Sequence, residues 1–273
     1  MIGHLIYSYN HLDDARIQQE ISKKLYANHF GGVNLVHAHN GGKTFGYKKY
    51  SEDRLITLEN RGHFQGASDL INAGLEYFSG NKIPMLKYVL VTAADTWVLN
   101  TQFLKSIFED MQKDKKVLAA SSWGKAKAPD KATGFSTDFF ILDVEWNRKS
   151  KLFPIDYDGF SNKFKDLFDL QYTIPTIEAS VQYNFQKYFS DHFKDNDIWL
   201  KRNAALRRIV EREPVHKLNG ERQENWPRLG LYTAPHPSEK QKILRRLKLD
   251  IGKFSHKLIT SKNPSYYNQM TTA

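Results

Sequence analysis

The stretch YVLVTAADTWVLN, Tyr88 to Asn100, begins as six apolar or β-branched residues and ends in a single carboxylate, Asp95, with Thr96 and Trp97 behind it. Ligands of open α/β sheets sit outside the carboxyl ends of the strands. An acid at that position has two uses: it caps the element that follows, or it holds a divalent cation that neutralises a diphosphate leaving group. A second group is ENRGHFQGASDLINAGLEYF, where Gly62, Gly66 and Gly74 surround a strand-to-helix turn and Asn60 and Arg61 stand at its mouth. The N–H groups and dipole of a helix start suit an anion or a nucleotide edge, and glycine lets backbone approach a ligand closely. Tight turns and helix packing are the other use of those glycines. Their spacing matches neither the dinucleotide fingerprint nor a P-loop.

Aromatic faces stack on sugar rings, and Trp97, Trp123, Phe135 and Trp146 fall at or near predicted strand ends. Trp97, two residues past Asp95, leads these candidates; core packing is the alternative for Trp123 and Trp146. His216 and His236 lie in proline-bearing loops, as metal or phosphate ligands or as plain loop residues. No H-E-x-x-H or G-x-S-x-G occurs, which disfavours a zinc hydrolase or a serine hydrolase. The absence of cysteine excludes disulfides, thiolate nucleophiles and cysteine zinc sites.

The elements that must position these residues follow from hydrophobic periodicity. HLIYSY, VNLVHAH, RLITLEN, KYVLVTAAD, KVLAASSWG and GFSTDFFILDVEW read as strands. Between them, Ile17, Ile21 and Leu25 mark one amphipathic helix, with Asp13 and Asp14 at its positive end. Phe64, Ala67, Leu70, Ile71, Leu75 and Phe78 mark a second, and Phe103, Ile107 and Met111 a third. Another helix is expected near Pro175, with Thr176 as its N-cap. Strands alternating with helices imply an α/β fold, a mostly parallel sheet with helices on both faces.

A first strand ending YSYN, a second ending HNGG, the glycine-rich turn opening a helix and an apolar strand ending in an acid together resemble the nucleotide-sugar half of GT-A-type glycosyltransferases, over about residues 2–145. The resemblance implies a GT-A-like (Rossmann-like) domain that transfers a sugar from a nucleoside diphosphate sugar to a glycan or lipid-linked glycan. It puts Tyr7, Ser8 and Asn10 near the nucleobase, and Asn60, Arg61, Gly62 and Ala67 near the nucleotide and donor sugar. Asp95 stands at the last position of the family's D-x-D metal motif, and Ala93 replaces its first acid. Either Asp95 binds Mn²⁺ or Mg²⁺ with help from a downstream His or Asp, His216 among them, or Arg and Lys carry the diphosphate charge. An inverting transfer needs a base for the acceptor hydroxyl. Glu178 in IPTIEAS fits by position and Asp138 in GFSTDFF competes with it; Glu178 also suits a helix first turn. A retaining transfer needs no such base.

The chain has 273 residues and a formal net charge of +10. That suits an anionic partner, and much of the surplus lies in residues 201–257. We expect a catalytic domain over 1–210, with a nucleotide-sugar half at 1–125 and an acceptor half at 126–210, followed by a basic helical C-terminal extension at 211–273. Ile243, Leu247, Ile251, Phe254 and Leu258 form an apolar stripe beside six Lys and Arg, so residues 240–258 suit an acidic membrane surface or a packed terminal helix. The N-terminus reads as a strand, not a signal peptide, and the composition fits the cytoplasm, with peripheral membrane contact as a further expectation. Two alternatives stand beside glycosyl transfer. The charge permits a protein that binds or modifies nucleic acid, although no nucleic-acid-reading motif is recognisable. The missing first acid permits a non-catalytic binding domain of the same fold.

Overall fold

The computed structural model describes residues 1–9, 12–41, 52–80, 83, 86–98, 101–122, 135–166, 174–181, 183–184 and 231–233. Six strands make one sheet: β1 (Ile2–Ser8), β2 (Val33–His39), β3 (Arg54–Thr57), β4 (Tyr88–Ala93), β6 (Leu118–Ser122) and β7 (Phe135–Asp143). Their order is β3-β2-β1-β4-β7-β6. β1 runs parallel to β2 and β4, and β2 parallel to β3, whereas β7 is antiparallel to both β4 and β6. The mostly parallel α/β sheet expected from the sequence is the one observed, with a single reversed strand inside it. A short strand β5 (Thr96–Val98) follows β4 and pairs antiparallel with β8 (Leu231–Thr233).

Helices cover both faces. Leu70, Ile71, Leu75 and Phe78 of α3 (His63–Gly80) pack on Leu5, Val36, Val89, Val91, Phe140 and Leu142. Trp146 of α5 (Val144–Ser150) and Tyr157 and Phe160 of α6 (Tyr157–Lys163) extend the same cluster. Each such side chain removed from water contributes roughly 1.5–3 kcal/mol before the cost of ordering it. Gly74 is where α3 approaches β1: a Cβ there would lie 2.3 Å from a Leu5 methyl. α4 (Thr101–Lys113) buries Leu104, Ile107, Phe108 and Met111.

The opposite face carries α1 (Leu12–Ile21), a five-residue π-helix (Ser22–Tyr26) and α2 (Ala27–Phe30). Ile17 and Ile21 are buried as their spacing predicts, but Leu25 is only half-buried and Tyr26 is fully buried. The cause is the wider turn of the π-helix, closed by Ala27 N–H donating to the Ser22 carbonyl oxygen. It carries one residue more than an α-turn and so moves the inward position by one.

This face sets buried polar groups beside a small apolar cluster of Ile6, Ala15, Leu35 and Ala94. His4 Nδ1 is 2.9 Å from Ser22 Oγ and His4 Nε2 is 2.9 Å from Thr92 Oγ1. Gln18 donates to Thr92 Oγ1 and to the Thr96 carbonyl oxygen. Ser8 Oγ lies 2.7 Å from His37 Nε2 and 2.9 Å from His39 Nδ1, and Gln19 closes on His37. Buried polar groups persist only when bonded in this way. Burial lowers the pKa of His4 from 6.5 to about 3, and burial with the neighbouring His39 and Arg16 charges lowers that of His37 to about 3 as well. The folded-state value lies below the unfolded one, so the fold favours neutral rings. Their contribution is complete above pH 6.5 and is lost as pH falls toward 3. Urea unfolding at pH 5 is expected to give a stability lower than at pH 7.5 by about 2 kcal/mol for each of the two rings. Replacing both His4 and His37 by Gln should remove most of that difference.

Residues Met1–Thr233 form one compact unit and Ala234–Ala273 a second. The β5–β8 pairing belongs to the first unit. The basic stripe at 240–258 lies outside the described residues.

Candidate functional site

From β1 the chain moves through α1 to β2 on one side of the sheet, and from β4 it moves to β6 and β7 on the other. The gap between the carboxyl ends of β1 and β4 is therefore the topological switch point, where open α/β sheets bind ligands. Tyr7 and Ser8 end β1, and Ala93 and the Ala94–Asp95 turn end β4. Ala94 N–H donates to the Tyr7 carbonyl oxygen at 3.0 Å and locks the two ends together.

Three carboxyl groups gather there. Asp95 is half-buried in the turn. Asp138 comes from β7, where the ladder pairs Val91 with Phe140 and Thr92 with Phe139 and ends one residue short of Asp138. The Asp138 residue is half-buried, with its carboxyl enclosed. Burial first, then the Asp95 and Glu178 charges, together push its pKa up to about 8 against the opposing hydrogen bond from Tyr7. Glu178 opens the helical segment 177–181. Thr176 caps that helix as expected, its Oγ1 accepting from Ala179 N–H at 3.1 Å. Glu178 is buried, and burial raises its pKa although Thr137 Oγ1 donates to its Oε1 at 3.1 Å. Thr137 carried no signal in the sequence beyond standing beside Asp138.

The remaining candidates divide. Tyr7 is buried, and its hydroxyl is bonded to Asp138 rather than turned to a base. Ser8 is buried too, held by His37 and His39 on the opposite face. Asn60 Oδ1 accepts from Gly62 N–H at 3.0 Å, and Gly62 has φ +107°, a conformation that glycine adopts without strain. Arg61 is exposed and bonds Asp69 through Nε and Nη2 and Asp158 through Nη1, which raises its pKa. Ala67 is half-buried against the α3-face core. Trp97, expected against a sugar ring, is fully buried instead: its indole N–H donates to the Ala94 carbonyl oxygen at 3.0 Å. Trp146 is likewise a core residue. Phe135 is the first residue of β7. Asn10, Trp123, His216 and His236 lie outside the described residues.

The sequence reading missed Asn40 and Tyr9. Asn40 is buried at the end of β2, and a Cβ on Gly66 would lie 2.4 Å from its Nδ2, so Gly66 is where α3 presses on the strand end. Tyr9 is 45% exposed just past β1, a large ring left open beside the switch point. Beyond β3, Leu58, Glu59 and Arg61 join Asp69, Asn72, Ala73 and Glu76 of α3 around a groove of about 360 Å³. Among the described residues no three His, Asp or Glu side chains form a cage for a metal ion, and no helix is long and apolar enough to cross a membrane.

No family model matches the chain, and no curated protein matches it in sequence. Among solved structures it is similar to the galactosyltransferase LgtC in complex with donor and acceptor sugar analogs, at 12% identity and a TM-score of 0.43 over 83% of this chain and 99% of that one. It is also similar to TarS of S. aureus, at 11% identity and a TM-score of 0.38, over 55% of this chain and 30% of that one.

Proposed function

We propose that the chain is a glycosyltransferase that moves a sugar from a nucleoside diphosphate sugar to a hydroxyl of a glycan or lipid-linked glycan. The observation that carries this reading is the gathering of Asp95, Asp138 and Glu178 at the switch point between β1 and β4. Such a site suits a reaction in which a diphosphate leaves and a hydroxyl must lose a proton. The acceptor oxygen attacks the anomeric carbon, the bond from that carbon to the diphosphate oxygen breaks, and the acceptor proton passes to a carboxylate. Glu178 is the base we favour, held by Thr137 at the start of a capped helix.

The donor set fits a divalent cation. Mg²⁺ and Mn²⁺ take one or two carboxylates from a protein and leave further positions to substrate phosphates, and Asp95 with a second acid meets that need without a three-residue cage. When bound, the ion supplies charge neutralisation to the departing diphosphate. The chain's own part is to hold the oxygens in place and to shield the reacting carbon from water.

Melting the protein with a panel of nucleoside diphosphates and nucleotide sugars, each with and without Mn²⁺, tests the reading. A ligand at 100 times its dissociation constant adds about 2.7 kcal/mol and a visible shift. A shift with one nucleotide base is the expected result. No shift with any nucleotide, together with salt-dependent binding of mixed-sequence DNA, would replace this reading with the nucleic-acid one.

A further inference from the structure

In cross-strand register, Tyr7 of β1 pairs with Ala93 of β4, and the β4–β7 ladder ends at Thr92 and Phe139, the sequence neighbours of Ala93 and Asp138. Alternation from Phe140 puts Asp138 on the α3-covered face that Tyr7 and Ala93 share. Ala38 of β2 pairs with Tyr7 on that face. Neighbouring strands are about 4.8 Å apart, so β1 and β7 are about 10 Å apart. A tyrosine and an aspartate reach across that distance only if the middle residue is small. The Tyr7 hydroxyl does bond the Asp138 carboxyl, and the methyl of Ala93 leaves the path open. The alanine that breaks the D-x-D pattern is therefore required by the Tyr7–Asp138 pair.

We propose that Asp138 takes the place of the acid missing at position 93: the second carboxylate facing the donor diphosphate and its cation is delivered from β7, with Tyr7 as its positioning residue. This rests on the glycosyltransferase reading. It assigns Asp138 to the diphosphate and leaves the acceptor proton to Glu178. The exchange moves the oxygen donor one strand sideways in the sheet. Asp95, next in the chain after Ala94, stays within electrostatic reach of it.

The experiment compares wild type with Asp138→Asn, Tyr7→Phe and the double variant Ala93→Asp/Asp138→Ala. The melting shift given by UDP, GDP, CDP or ADP is measured without metal and with 1 mM Mn²⁺, and free Mn²⁺ is followed by its EPR signal. Asp138→Asn keeps an acceptor for Tyr7 and the shape of the side chain, and so folds. The expected result is that Asp138→Asn retains the metal-free nucleotide shift, loses the Mn²⁺-dependent increment and binds Mn²⁺ with at least tenfold lower affinity. The double variant should regain the increment, because the carboxylate introduced on β4 has the space that Asp138 vacates. Tyr7→Phe should weaken Mn²⁺ binding by a few-fold.

A wild-type increment in Asp138→Asn would overturn the assignment, and so would a nucleotide shift in wild type with no Mn²⁺ increment. In both cases the glycosyltransferase reading would stand. The absence of any nucleotide shift in wild type, with or without Mn²⁺, would overturn that reading instead.

Discussion

Asp95→Ala is expected to lower kcat by about 10²–10³-fold, the cost of removing one preorganised group that stabilises charge in a transition state, with the melting temperature close to wild type. Asp95 sits in a turn and is half-buried, so little apolar packing depends on it. Its removal also takes away a charge that raises the pKa of Asp138, so the gathering of acids becomes less costly to fold. Activity and melting therefore separate. The loss should fall on kcat with a smaller change in KM, because the charge that Asp95 helps to balance grows as the diphosphate departs. Full activity in the variant would show that the site at the end of β4 is wrongly assigned.

Glu178→Gln is expected to reduce kcat by about 10²–10⁴-fold, the usual contribution of a general base, and to raise stability at neutral and alkaline pH. The folded-state pKa of Glu178 is raised by burial, so the fold favours the protonated acid. Stability from this group is highest below the ordinary carboxylate range and declines as pH rises through the raised value. Glutamine stays neutral throughout and still accepts the Thr137 hydroxyl at Oε1. Denaturant titration from below the ordinary carboxylate range up to pH 8.5 should show the variant's advantage growing as pH rises. The wild-type rate should rise with pH to a limb above the usual carboxylate range, and the variant should lack that limb. If both proteins show the same pH–rate profile, Glu178 is a buried structural acid and the base lies elsewhere.

Much of the sheet was legible because its strands are buried on both faces, so β1, β2 and β4 appear as apolar runs bounded by polar turns. The direction of β7 was not, since a strand's apolar pattern is the same read either way and only the path between β6 and β7 reverses it. The π-helix escaped for a related reason. Spacing of four at Ile17, Ile21 and Leu25 fits an α-helix, and nothing local announces that Tyr26 takes the inward place through its bond to the Val98 carbonyl oxygen. At the site, Asp95, Asp138 and Glu178 were each visible as acids near strand or helix ends. What brings Asp138 to Tyr7 is the pairing of β7 with β4 and of β4 with β1, which leaves no mark on any of the three segments. Trp97 misled because a tryptophan beside an acid invites a ligand, whereas its indole N–H satisfies the backbone of the turn that carries the acid.

The pairing of β5 with β8 ties that turn to a segment made much later. Trp97 faces Tyr232 across roughly 130 residues of intervening chain. At about 5–20 residues per second, a ribosome needs on the order of 10 s to make that stretch. During this time the strand following Asp95 has its edge unpaired, as a template for other chains. The nascent protein therefore has its sheet and its acids in place well before the strand that braces them, and it is in this interval that a chaperone would gain most by covering residues 96–98.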